Sequence, residues 1–237
     1  MNTYRKNAVM TGVLYFMGTV FGILCYVVGG EVLSSISTGN ILGLVAANSS
    51  RLTVVAFFTL MMAISLVAMT IFLYPVIRKD SEELAMGMVL FRGALEGTWY
   101  FMSTLGFLTL VALGNEYIAT GANSAALQSM GNVLNQFQDS LAAIGPIFFL
   151  IGATCIYLSF YRTRLIPRWL TVWGFIGVVC SLASALLSFF HVDTGYGLYL
   201  EMVLAPQEIV MAVWLIVKGF NSSAIAALFA KKGLSEV

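Results

Sequence analysis

The sequence predicts an all-α fold, a polytopic transmembrane helix bundle with about six spans. Of its 237 residues, 59% are hydrophobic and 10% are charged, and the mean hydropathy is +0.91. A soluble domain has about 25% charged residues. Apolar runs of about 20 residues recur along the whole chain, and a helix of that length crosses roughly 30 Å of hydrocarbon.

The apolar runs define one predicted transmembrane domain over residues 1–221, followed by a short cytoplasmic tail, 222–237. The first run follows Arg5 and Lys6 as a secretory signal would, but its length and the missing small-x-small cleavage site predict a retained helix. The six spans are predicted near residues 8–28, 52–77, 85–113, 141–160, 170–190 and 198–217.

Two longer connections lie on the side opposite the termini. The first, residues 31–51, is rich in Gly, Ser and Asn and predicts a short helix or a re-entrant segment. The second, residues 114–140, predicts an outer amphipathic helix between spans three and four, or a lengthened fourth span. Its apolar residues recur at helical spacing: Leu127, Met130, Leu134, Phe137 and Leu141.

The distribution of cations predicts that both termini are cytoplasmic, because Lys and Arg near short loops are retained on that side. In a six-span chain the opposite side has one cation, Arg51. The expected location is therefore the inner (plasma) membrane, crossed several times. The cations on the predicted cytoplasmic side are Arg5, Lys6, Arg78, Lys79, Arg162, Arg164, Arg168, Lys218, Lys231 and Lys232.

The third span contains two charges in the stretch "FRGALEG". Arg92 and Glu96 are four residues apart, so a helix places them on one face within reach of each other. Glycines with small-xxx-small spacing lie beside them, and a second such pair in the first span marks that span as a candidate neighbour. The two pairs are Gly93 with Gly97, and Gly18 with Gly22.

The sixth span supplies a second polar group, in "LAPQEIVM". Pro206 is expected to interrupt the helical hydrogen-bond ladder, and Gln207 and Glu208 follow near mid-depth. Since the third and sixth spans run in opposite directions, Arg92, Glu96 and Glu208 are predicted to form one buried cluster. Its net charge is negative when all three groups are ionised, so either a protonated glutamate or a bound cation would balance it. A structural ion pair between the two spans uses the same residues, and both interpretations remain open.

Side chains for enzymatic chemistry are scarce. The single histidine, His191, cannot build an HExxH, bis-histidine haem or His-rich metal site. No G-x-S-x-G elbow, Walker loop or GxGxxG turn occurs. We therefore expect no enzyme, no catalytic residues, no metal and no cofactor. The net charge of +1 gives no basic face for nucleic acid.

Three stretches, "FRGALEG", "YRTRLIPRWLTVWGFIG" and "LAPQEIVMAVWLIVKGFN", resemble the prokaryotic integral-membrane family of unknown function catalogued as domain of unknown function 4386. The likeness runs from the first span to about Asn221, and the proline of "LAPQE" departs from the family pattern. The resemblance implies a prokaryotic membrane protein and adds no activity. The family pattern falls on Arg92, Glu96, Arg164, Pro167, Arg168, Trp169, Gln207, Glu208, Trp214, Lys218 and Phe220.

Two groups of candidate site residues follow. The intramembrane polar site is Arg92, Glu96, Gln207 and Glu208, and the inner-leaflet anchor is Arg162, Arg164, Arg168 and Trp169. The first hypothesis is a non-catalytic scaffold or regulator in which the charges hold spans three and six together. The alternative is a transporter-like bundle that binds a small cation or polar solute, with or without a coupled proton. Expected partners are the lipid bilayer, a small-molecule or proton ligand, and a membrane-protein partner or second copy.

Overall fold

The computed structural model describes residues 3–35, 40–192 and 194–235, and every regular element in these ranges is helical. Ten α-helices and one π-helical segment follow one another along the chain. They are α1 (Thr3–Ser35), α2 (Ile41–Ala47), α3 (Ser49–Ile77), α4 (Glu82–Met88), the π segment (Val89–Leu95), α5 (Glu96–Ala119), α6 (Ala125–Thr163), α7 (Arg168–Phe189), α8 (Gly197–Glu201), α9 (Leu204–Val217) and α10 (Ser222–Ser235).

Six helical stretches in this part of the chain are long and apolar enough to cross a membrane. The all-α, six-span prediction is therefore confirmed, and the protein is a multi-pass membrane protein. Most of the helices extend beyond the predicted spans, because polar residues at their ends continue the helix outside the apolar run. The stretches are Thr3–Leu33, Ser49–Ile77, Glu82–Ala119, Ala125–Thr163, Arg168–Phe189 and Tyr199–Val217.

The two outer connections take defined forms. The first contains the short helix α2, whose N-terminus is capped by Asn40, while residues 36–39 of the predicted segment lie outside the described residues. The second is a lengthened fourth span, since residues 125–140 are the first turns of α6 and no separate outer helix precedes that span in the described chain. Apolar side chains recur at helical spacing in those turns. The helix then continues through Pro146 and ends at Thr163.

The sixth span breaks at the turn Met202–Val203 between α8 and α9, as Pro206 was expected to cause. A proline has no N–H to donate to the carbonyl four residues earlier, here that of Met202, and its ring clashes with that carbonyl. Pro206 itself lies in the first turn of α9, where a residue's N–H has no intrahelical acceptor. Gln207 and Glu208 are therefore in the opening turns of a new helix.

The chain contains two compact units. Unit 1 comprises Met1–Thr19, Ile64–Gly97 and Ala143–Val237, and its core is formed by the buried side chains of the helices in those ranges. Unit 2 comprises Val20–Ala63 and Thr98–Ala142 and has a smaller core. Helices α1, α3, α5 and α6 supply residues to both units, and the prediction of one domain over residues 1–221 stays a prediction.

The predicted cytoplasmic tail contains a helix. In α10, Ala224 and Leu228 are buried in the core of unit 1, and the Phe229 ring meets Tyr4 edge to face with centroids 5.3 Å apart. The tail therefore packs on unit 1 through its first two turns. The last two residues, 236–237, lie outside the described part.

Candidate functional site

The π segment places Arg92 in the interior of unit 1. A π-helix widens the turn by one residue and changes the direction of the side chains that follow. The backbone of α6 contacts this segment at Gly152, where an added Cβ would lie 2.7 Å from the Arg92 backbone nitrogen. The Arg92 side chain is only 2% exposed. A glycine is therefore required for α6 to approach the segment this closely.

The Arg92 guanidinium contacts charged and aromatic groups from four elements. Its Nη1 donates to both carboxylate oxygens of Glu96 at 3.0 Å, and its Nη2 lies 3.6 Å from Oε1 of Glu208 in α9. The Tyr15 ring of α1 and the Phe149 ring of α6 lie on the guanidinium, with centroids 5.1 and 4.3 Å from Cζ. Aromatic faces attract a desolvated cation by about 2 kcal/mol.

The two carboxylates of the cluster differ in environment. Glu96 is fully buried and lies on the same helical stretch as Arg92. Glu208 belongs to another helix, accepts a hydrogen bond of 2.8 Å from the Tyr15 hydroxyl, and keeps 13% of its side chain exposed. Glu208 thus forms the ion pair with Arg92 that joins separate helices, whereas the Arg92–Glu96 pair lies within one helical stretch.

Gln207 lies outside the charged cluster, although it precedes Glu208 in sequence. Its amide oxygen accepts from the Tyr157 hydroxyl at 2.8 Å, and its amide nitrogen donates to the Leu170 carbonyl at 3.0 Å. These contacts join α9 to α6 and α7. Gln207 is fully buried, and its role in the structure is to connect three helices.

The two glycine pairs do not pack against each other. Gly93 and Gly97 lie against Thr70 and Val67 of α3, and Gly18 lies against Leu66 of the same helix. Within unit 1, the first and third spans therefore both approach α3 through their glycines. They meet each other instead through the Tyr15 ring and Arg92.

The predicted anchor residues separate into different contacts. Arg162 lies 3.8 Å from the buried Asp80 carboxylate, and the Arg168 guanidinium lies over the Tyr161 ring at 4.9 Å. Trp169 is 54% exposed and stacks on Trp173. Arg164 follows the end of α6, with a positive φ of 56°. The four residues share one region of the chain and do not form a single site.

Sequence reasoning missed the aromatic half of the site. Tyr15, Phe149 and Tyr157 lie in apolar runs where rings are common, and no spacing singles them out. Among the described residues, no three His, Cys, Asp or Glu side chains come together as metal ligands would.

These observations define a multi-pass α-helical membrane protein with a charged cluster buried among its helices. The model of the family described as "Domain of unknown function (DUF4386)" matches residues 10–219, and the chain belongs to this family. The resemblance drawn from the sequence motifs is thereby confirmed. A search of curated proteins and a search of solved structures each gave no match.

Proposed function

We propose that the protein is a non-catalytic scaffold or regulator in the plasma membrane of a prokaryote, and that the Arg92, Glu96 and Glu208 cluster holds its spans in one arrangement. Both termini would be cytoplasmic, as the cation distribution predicts. A partner would then bind a helix surface whose position the cluster sets. The proposal assigns no catalytic step to any residue.

The scaffold proposal is supported by the contacts of the Arg92 guanidinium, all of which are with other groups of the protein. Both terminal nitrogens lie near carboxylates, and rings from α1 and α6 lie on the guanidinium at 5.1 and 4.3 Å. Removing one member of such a buried pair leaves a charge in a medium of low dielectric, which costs several kcal/mol. A cluster with this geometry favours one packing of α1, the π segment, α6 and α9 over the alternatives.

A second candidate function is binding of a proton or a small cation at Glu208. The cluster has one positive and two negative groups, so its charge is negative when all are ionised. Glu208 is the member with 13% of its side chain exposed, and the Tyr15 hydroxyl that donates to it is neutral. Uptake of a proton or a monovalent cation at this carboxylate would balance the charge.

Thermal unfolding in detergent separates the two functions. We would compare the native chain with Glu208→Gln and Glu96→Gln across pH and a panel of Na⁺, K⁺ and small organic cations. Glu82→Gln serves as the control, because Glu82 is an exposed carboxylate in an i, i+4 pair with Arg78. The scaffold proposal predicts lower midpoints for both cluster variants and no cation effect on any chain. A cation effect on the native chain that Glu208→Gln abolishes, with the variant still folded, would support the binding function instead.

A further inference from the structure

A cavity of about 550 Å³ lies in unit 1 between the turn that joins α6 to α7 and the junction that joins α9 to α10. We name it the turn pocket. It is separate from the Arg92 cluster, since no cluster residue lines it. The side chains that decide its chemistry are Arg164, Arg168, Trp214, Lys218 and Asn221. Its volume falls in the range of about 300–1,000 Å³ that small-molecule sites occupy.

Local backbone geometry builds the turn pocket. Arg164 and Gly219 both have positive φ, 56° and 76°, so the chain turns sharply after α6 and again after α9. The Asn221 N–H donates to the Leu165 carbonyl at 2.9 Å and ties the two turns together. The walls of the pocket are therefore connected by a backbone hydrogen bond, and the pocket does not depend on side-chain contacts alone.

The turn pocket is strongly electropositive. Arg164, Arg168 and Lys218 line it, no acidic residue does, and in the described part of the chain no carboxylate lies within salt-bridge distance of these three cations. Three like charges around one cavity repel each other unless an anion lies between them.

The ends of two helices also contribute to the electrostatic potential in the turn pocket. Helix α7 begins beside the pocket, and its N-cap residue, Pro167, has no side chain that could satisfy the first backbone N–H groups. At the other wall, the last carbonyls of α9 would repel an anion. The Arg5 guanidinium covers them, donating to the Ile216 carbonyl at 2.8 Å and to the Val217 carbonyl at 3.1 Å. The α7 end thus favours a negative ligand, and Arg5 offsets the repulsion from the α9 end.

We propose that the turn pocket binds a phosphate group, carried by an anionic lipid headgroup or by a soluble phosphate compound. Phosphate oxygens accept hydrogen bonds from guanidinium, ammonium and helix N-terminal N–H groups, which are the donors gathered here. The pocket lies among the cations that the sequence predicts at the cytoplasmic surface, where anionic headgroups attract basic side chains. Trp214 supplies an apolar wall of the kind that interfacial sites use.

The test measures thermal unfolding of the full chain in an uncharged maltoside detergent. Phosphatidylglycerol is added to one series, phosphatidylcholine with the same acyl chains to a second, and inorganic phosphate to a third, with chloride at equal ionic strength as reference. The pocket variants are Lys218→Gln and Arg168→Gln. Lys6→Gln is the matched control, since Lys6 is an exposed cation one residue from Arg5 and does not line the pocket.

A site in the turn pocket predicts a saturable rise of several degrees in the midpoint with phosphatidylglycerol or with inorganic phosphate. The rise is expected to persist in Lys6→Gln and to fall by more than half in both pocket variants. A response to phosphatidylglycerol alone identifies a lipid headgroup as the source, and a response to inorganic phosphate identifies a soluble compound. No saturable rise with either probe, or an equal loss in Lys6→Gln, would overturn the proposal. Because Lys218 and Arg168 are both exposed, at least one variant is expected to fold.

Discussion

Replacing Arg92 with methionine tests whether the cluster stabilises the fold. Methionine keeps an unbranched apolar side chain at this position and removes the guanidinium with its charge. The carboxylate of Glu96, 0% exposed, then loses both hydrogen bonds of 3.0 Å, and Glu208 loses its cation at 3.6 Å. Breaking a buried pair in this way costs about 3–5 kcal/mol. This free energy corresponds to more than about a hundredfold increase in the unfolding equilibrium constant.

The assay is helix loss measured by far-ultraviolet circular dichroism while sodium dodecyl sulfate replaces a mild detergent. Arg78→Met is the matched control, because Arg78 and Glu82 form an i, i+4 pair at 2.6 Å whose side chains are about half exposed. We expect little or no change for this control. The double variant Arg92→Met with Glu96→Gln should recover more than half of the loss, since the fully buried charge is gone. An Arg92→Met chain as stable as Arg78→Met, or a double variant no better than the single one, would refute the reasoning.

Three further predictions follow from other contacts. Tyr15→Phe removes the hydroxyl that donates to Glu208 and should lower the free energy of unfolding by about 1–2 kcal/mol in the same detergent titration. An unchanged free energy of unfolding would contradict the interhelical role of Glu208. Gly152→Ala places a Cβ 2.7 Å from the Arg92 backbone and should cost about 1–3 kcal/mol, whereas Gly30→Ala, with its nearest side chain at 3.7 Å, should cost nothing measurable. A fluorescent protein fused after the last helix should be fluorescent in cells, and an alkaline phosphatase fused there should be inactive; the reverse result would place the terminus outside.

The sequence predicted the membrane spans well because the bilayer imposes length and polarity on every crossing segment. It also predicted that Arg92, Glu96 and Glu208 lie at similar depths in the membrane, since spans three and six run in opposite directions and the rise per helical residue is constant. These inferences need only local composition and the thickness of the hydrocarbon.

The remainder of the site depends on contacts between residues far apart in sequence. Tyr15 meets Glu208 across 193 positions, and no local pattern distinguishes it from other rings in apolar runs. The π segment is a local departure from 3.6 residues per turn that helix periodicity does not encode. Pro206, by contrast, was a local signal that the sequence did carry, since the sixth span breaks at Met202–Val203, where the carbonyl four residues before the proline receives no N–H from it.

The glycine spacing gave a similar partial result. It correctly marked close helix approaches, but spacing does not specify the partner helix, and the glycines of unit 1 at residues 18, 93 and 97 all face α3. The helical C-terminal segment was missed because a stretch as short as 14 residues is marginal as an isolated helix and is stabilised by its contacts with the core.

The central claim is that Glu208 holds α9 to the Arg92 segment, and a double-mutant cycle tests it most directly. The free energy of unfolding would be measured for the native chain, Arg92→Met, Glu208→Gln and the combined variant. The proposed role predicts a coupling energy of at least about 1 kcal/mol between the two sites. Effects that add within about 0.5 kcal/mol would mean that the two residues act independently and that the cluster does not hold the helices together.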